Sequence, residues 1–140
     1  MWEYKTSVQW KGGEAADILC EEKPTLAITA PEEFGGKKDH WSPEDLLVAS
    51  VESCLLLTAL YFVDKMKIDM KGYQSKGVGR MERTPNGLRF KGIDVKIRVE
   101  VTTEEDAEKM KKVVESAEKF CPVSSAVNCP VGVEVEAIVV

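Results

Sequence analysis

Ser42-Pro43-Glu44-Asp45-Leu46-Leu47-Val48-Ala49-Ser50-Val51-Glu52-Ser53-Cys54 is the stretch whose reading decides the fold. Ser42 carries the oxygen of a helix N-cap. Pro43 takes the first helical position, where a missing N–H costs nothing, and Glu44 and Asp45 fill a first turn whose dipole favours acids. The pattern predicts a helix running to about Lys67, with Lys65 and Lys67 at the end that favours cations. From Leu46 to Val63 this helix is apolar on nearly every side, unlike one that keeps a face in water. A chain of 140 residues does not readily enclose such a helix alone, so a second copy is expected to cover part of it in an obligate homodimer.

Upstream, strand-like runs span Tyr4 to Trp10, Ala15 to Cys20 and Thr25 to Thr29, punctuated by Gly12-Gly13 and Lys23-Pro24. A polar loop from Pro31 to Trp41 follows, with Phe34-Gly35-Gly36 read as a turn. Downstream, two long strands, Met70 to Arg83 and Leu88 to Val101, flank Pro85-Asn86-Gly87, in which Asn-Gly is a strong hairpin signal. Ile93, Val95, Ile97, Val99 and Val101 alternate as one buried face of an antiparallel sheet. Thr102 or Thr103 then caps a second helix whose apolar stripe is Ala107, Met110, Val113, Val114 and Ala117. Val131 to Val139 closes the chain as a strand. No repeat or linker interrupts this order, so the expectation is a single α+β domain over residues 1–140, with antiparallel sheets around a long buried central helix.

The formal net charge is −5 and no basic block occurs, which argues against nucleic acid and anionic membrane surfaces as partners. The longest uncharged apolar stretch, Cys54 to Val63, is too short to span a bilayer. Met1-Trp2-Glu3-Tyr4-Lys5 lacks a signal-peptide pattern, so a soluble, cytoplasmic protein is expected.

Four cysteines remain to be placed. In a reducing compartment they read as buried thiols, metal ligands or redox groups. Cys54 lies inside the apolar helix, whereas Cys121 precedes Pro122, well placed as the first cap of a helix, where orphan N–H groups favour a thiolate. Thiol–disulfide chemistry needs such asymmetry. A buried thiol among Leu47, Val51 and Leu57 has its ionisation disfavoured, and Ser50 and Thr58, one turn to either side, are weak donors. Cys20 and Cys129 read as core thiols, and His40 as a solvated loop residue. Trp2, Trp10 and Trp41 read as packing anchors, and Glu52 as an acid reaching solvent or an interface. A metal module of Cys54, Cys121, Cys129 and His40 is the competing reading, although the Cys121 to Cys129 spacing lacks the short knuckle of structural zinc.

Ser-Pro-Glu-Asp-Leu-Leu-Val-Ala-Ser-Val-Glu-Ser-Cys (42–54), with Cys-Pro-Val-Ser-Ser-Ala (121–126), resembles the osmotically induced protein C and organic hydroperoxide resistance (OsmC/Ohr) family, and the order of elements agrees throughout. The resemblance implies an OsmC-like fold in an intertwined homodimer and a thiol-dependent peroxidase acting on organic hydroperoxides. Cys54 would then be the peroxidatic thiolate and Cys121 the resolving thiol. Glu44 matches a glutamate that orients an arginine against the reactive sulfur. A dithiol reductant, lipoyl-type in some members, regenerates the pair, and no metal, haem or flavin cofactor is implied. A variant with the same fold but weak turnover, serving as a thiol sensor or binding protein, is the alternative.

The chain departs from that family in one respect. The expected arginine comes from before or just ahead of the long helix, whereas the first arginine here is Arg80. Lys11, Lys37 and Lys38 lack its planar fork, and Arg80, Arg83, Arg89 and Arg98 all fall on the hairpin.

Overall fold

A computed structural model describes residues 1–140, which form two compact units, Met1–Leu47 and Val48–Val140. In the first unit, β1 (Ser7–Gly12), β2 (Ala15–Leu19) and β3 (Leu26–Thr29) make an antiparallel meander. Its first turn rests on Gly12 and Gly13, both at positive φ, which glycine adopts without the Cβ clash. Leu26 to Thr29 is followed by a 3-10 turn at Glu32–Phe34. The loop then folds back on β3: the Thr29 hydroxyl accepts from the Lys37 N–H at 3.0 Å, and the Thr29 N–H donates to the Trp41 carbonyl at 2.9 Å. A Cβ on Gly36 would stand 1.5 Å from the Ala30 carbonyl oxygen, so only glycine fits that crossing. The loop delivers Ser42 to the start of α1 (Pro43–Lys65). Ser42 Oγ accepts from the Asp45 N–H at 3.1 Å while Asp45 accepts from the Ser42 N–H at 3.0 Å, a reciprocal cap that fixes the boundary where the sequence placed it.

In the second unit, α1 ends two residues short of the expected Lys67. The Lys67 N–H bonds the Asp64 carbonyl and the Ile68 N–H bonds the Val63 carbonyl, the paired bonds of a Schellman stop. Lys67 takes the left-handed position at φ 54 that glycine usually fills. β4 (Met70–Thr84) and β5 (Gly87–Val101) form the long antiparallel hairpin, with Gly87 at φ 100. Thr103 caps α2 (Glu104–Phe120), its hydroxyl accepting from the Asp106 N–H at 3.0 Å. β6 (Val131–Val139) then joins the far side of β5, giving the order β4-β5-β6.

The α+β architecture is as expected, with one departure from antiparallel pairing: β6 lies parallel to β5, Ile93 facing Val131 and Val101 facing Val139. The cause is the intervening α2, which returns the chain to the end of the sheet from which β5 set out. The core lies on the odd-numbered face of β5, where Ile93, Val95, Ile97, Val99 and Val101 are buried together with Met110, Val113, Val114 and Ala117 of α2.

Of α1, only Val51, Leu55 and Ala59 are fully buried, while Leu57, Leu60 and Tyr61 are exposed. As a whole it is long and apolar enough to cross a bilayer by length and composition, which the shorter Cys54–Val63 stretch did not imply. One side of it nevertheless packs inside the protein. Glycines make the room: a Cβ on Gly79 would lie 2.6 Å from Val48 Cγ2, and one on Gly77 would lie 2.7 Å from the Glu52 carboxylate.

Candidate redox site

Cys54 projects from the middle of α1, half-buried, one turn before Thr58, whose hydroxyl lies 3.9 Å from its sulfur. Cys121 is fully buried at the C-terminal end of α2, where its N–H bonds the Ala117 carbonyl at 2.8 Å. Its φ of −69° and ψ of 111° are the extended geometry that a following proline imposes, so the helix stops there. Residues 122–126 do not continue as a helix, as a cap at Cys121 had implied, but turn tightly on themselves. The turn still supplies what a helix N-terminus would. The Ser124 N–H donates to Cys121 Sγ at 3.4 Å, the Ser125 N–H donates to the Cys121 carbonyl at 3.3 Å, and the Val123 N–H acts on both sulfurs.

The two sulfurs, remote in sequence, lie near enough that the ionisation of each depends on the other. Phe62 of α1 and Phe120 of α2 pack with ring centroids 5.8 Å apart, an aromatic contact that joins the two helices. All four cysteines are free thiols. Burial pushes the Cys54 thiol up, and its contact with Cys121 adds to this, against a smaller opposing pull from the Val123 N–H and Thr58. For Cys121, burial also opposes ionisation, but hydrogen bonds from Cys54, from Ser124 and from the turn outweigh it and hold the thiol below its ordinary value. The accessible sulfur is therefore the harder of the two to ionise.

The remaining sequence candidates fall elsewhere. Glu44 stands in the first turn of α1, in the first unit, with Oε1 buried and accepting no hydrogen bond. Cys20 is not a core thiol. It follows β2, half-buried, within 3.3 Å of the Lys23 ammonium, because the chain reverses at once through Glu22 in the left-handed region. Cys129 is likewise only half-buried and lines an open hollow of about 210 Å³ with Glu118, Ser124, Ser125 and Val131. His40 pairs with neighbouring Asp39 at 2.8 Å. No three His, Cys, Asp or Glu side chains gather so as to hold a metal ion, and the four-residue metal module has no geometric basis.

Among the basic residues, Arg80 forms an ion pair with Asp94 across the hairpin, Arg89 bonds the Leu88 carbonyl, and Lys11 pairs with Asp17. Glu52 is half-buried on α1. Its Oε1 accepts from the Ser75 hydroxyl at 2.7 Å, behind the helix that carries Cys54. The signal for this was the pair of glycines in β4, Gly77 and Gly79, whose missing side chains make the space.

Comparison with known proteins bears on the whole chain. Residues 35–136 match the family model described as OsmC-like protein. An uncharacterized protein of Acinetobacter baylyi is 34% identical over 116 residues, covering 81% of this chain and 77% of that one. The organic hydroperoxide resistance protein-like 2 of Staphylococcus epidermidis is 26% identical over 137 residues, 95% of this chain and 94% of its own length. Among solved structures, an OsmC-like protein of unknown function from Vibrio cholerae superposes with a TM-score of 0.89 at 18% identity, covering 97% of this chain and all of that one. An organic hydroperoxide resistance protein from Legionella pneumophila superposes with a TM-score of 0.75 at 21% identity, over the full length of both chains. By the family match and the shared fold, this chain belongs to the OsmC-like protein family.

Proposed function

We propose that this protein is a thiol-dependent peroxidase that reduces organic hydroperoxides, with Cys54 as the attacking sulfur and Cys121 as the resolving one. The observation that carries the reading is the nearness of the two thiols, each of which shifts the ionisation of the other, so that a sulfenic acid on Cys54 has Cys121 at hand as its partner. The half-buried position of Cys54 and the full burial of Cys121 fit the same division of labour: a peroxide reaches the first sulfur, and the second reacts only with the first. The relative from Staphylococcus epidermidis is named for resistance to organic hydroperoxides, which supports the substrate class.

The working form in this reading is a homodimer in which a second copy covers the exposed Leu57, Leu60 and Tyr61 of α1. Glu44, its Oε1 lacking a donor, orients a cation within that assembly. A dithiol returns the disulfide to two thiols, and four free cysteines fit a reducing cytoplasm. The raised Cys54 thiol favours a second reading, a sensor that oxidises once and recycles slowly.

The test is to add one equivalent of an alkyl hydroperoxide to the reduced protein and map linked peptides by mass spectrometry, then follow peroxide loss with dihydrolipoamide in excess. A Cys54–Cys121 linkage with many turnovers supports the peroxidase, the same linkage with about one turnover supports the sensor, and absence of the linkage rejects both.

A further inference from the structure

Thr58 stands one turn after Cys54 on α1, and a helical side chain leans toward the N-terminus, over the residue four places before it. A serine or threonine inside a helix ordinarily gives its hydroxyl proton to a carbonyl of the preceding turn. Ser53 does so, its Oγ donating to the Ser50 carbonyl at 3.3 Å. Thr58 does not: the single hydrogen-bond partner of its hydroxyl is Cys54 Sγ, at 3.9 Å. Both residues are half-buried, so the contact is partly withdrawn from water.

We infer that Thr58 is a further catalytic residue, whose hydroxyl donates a hydrogen bond to the Cys54 thiolate and so raises the fraction of Cys54 that is ready to attack. This role deepens the peroxidase reading and rests on it for its chemistry, although it is tested without peroxide. While Cys54 is a thiol, either member of the pair can donate, and the contact is a weak neutral one. Once ionisation releases the thiol proton to water, the sulfur only accepts. The hydroxyl then turns toward it, and the bond becomes charge-assisted, about twice as strong as a neutral one. That gain belongs to the thiolate alone, and a bond that favours the charged form eases ionisation.

From the end of α2 and the turn beyond it, Cys121 and the Val123 N–H act on the same sulfur. Cys121 is the one titrating group among these neighbours, and its contact opposes ionisation of Cys54, as burial does. The Val123 N–H and Thr58 pull the other way, and of the two only Thr58 is a side chain. Easier ionisation also weakens the nucleophile. Thiolate reactivity falls as the thiol becomes more acidic, with a Brønsted slope of about 0.4–0.5, so a tenfold gain in thiolate leaves roughly a threefold gain in rate. Burial keeps Cys54 on the side of that balance where the gain exceeds the loss.

Thr58→Val keeps the shape of the side chain and removes the hydroxyl. Alkylation of Cys54 by iodoacetamide, read peptide by peptide across pH, is expected to bend about half to one pH unit higher in Thr58→Val than in the wild type, and to run about two- to threefold slower at neutral pH. Above both bends the variant reacts as fast or faster, because its thiolate is the more basic. Thr58→Ser keeps the hydroxyl and is expected to restore the wild-type profile. A change that only loosened the helix would move the rate in one direction at every pH, and serine would not repair it. A bend that stays or falls in Thr58→Val, or stays raised in Thr58→Ser, overturns the inference. Should Thr58→Val fail to fold, Thr58→Ala carries the same expectations and the same refutation. With an alkyl hydroperoxide and excess dihydrolipoamide, kcat/KM is expected to fall in Thr58→Val by about the same two- to threefold. A wild type without peroxide turnover, whose alkylation profiles nevertheless behave as stated, rejects the peroxidase reading and leaves the Thr58 donor standing.

Discussion

Glu52 on α1 accepts a hydrogen bond from Ser75 on β4 at 2.7 Å, across a gap that exists because residue 77 has no side chain. A hydrogen bond to a carboxylate inside a protein contributes about 1.5–3 kcal/mol, and leaving one partner unsatisfied costs more than replacing both. Ser75→Ala is therefore expected to destabilise the protein by about 1.5–3 kcal/mol, and the Glu52→Leu, Ser75→Ala double variant to recover part of that loss. Urea unfolding of the two single variants and the double checks this. Strict additivity would show that the contact does not couple helix to sheet.

Tyr73 shares that face of β4, and burial, followed by the Glu52 charge, pushes its phenol up to about 12. A folded-state value above the unfolded one of about 10 means that the native protein holds the proton more tightly. Stability from this source is whole below about pH 10 and declines as pH rises from about 10 to about 12. Tyr73→Phe removes that decline. Because the Tyr73 hydroxyl is buried without a hydrogen-bond partner, the same variant is expected to be neutral or slightly stabilising at pH 7. Thermal melts from neutral to alkaline pH measure both effects.

Lys67 occupies the left-handed position after α1 with φ 54. A side chain there meets the steric penalty that glycine avoids, so Lys67→Gly is expected to stabilise the fold by up to about 1 kcal/mol with no change in the site. A drop in melting temperature would show that the lysine contributes something beyond its backbone.

Cys54→Ser is expected to abolish turnover with a hydroperoxide and dithiol. Cys121→Ser still reacts with about one equivalent of peroxide, and then stalls with Cys54 as sulfenic or higher acid, because no second sulfur lies at hand. Stopped-flow peroxide loss combined with intact-mass measurement distinguishes the two. Sustained turnover by Cys54→Ser would end the assignment.

Leu57 is 65% exposed and Tyr61 58% exposed on the outward side of α1. If a second copy covers this side, Leu57→Glu buries a charge between copies and shifts the protein toward monomer, as sedimentation velocity would record. A wild-type chain that already sediments as a monomer at micromolar concentration contradicts the dimer.

Local signals carried most of the fold. Ser42 with Pro43, Asn86 with Gly87 and Thr103 with its run of acids each mark a boundary through bonds made within a few residues, and each boundary lies close to where the sequence placed it. What was illegible depends on partners far along the chain. Nothing in Val131–Val139 says whether it will pair parallel or antiparallel, since the direction follows from α2 returning the chain across the sheet. Glu52 looked like a solvent-seeking acid because its donor, Ser75, lies on another element. The sulfur pair was legible only through its resemblance to a family, whereas the turn that serves Cys121 was foreshadowed by the proline after it.

The meeting of Cys54 with Cys121 has a mechanical corollary. Oxidation would tether the middle of one helix to the tip of the other and enclose a loop of about 70 residues, enough to remove roughly 4 kcal/mol of freedom from the unfolded chain. A molecule built this way would stiffen as it is oxidised and soften as it is reduced, so its heat resistance would register the redox poise of its surroundings.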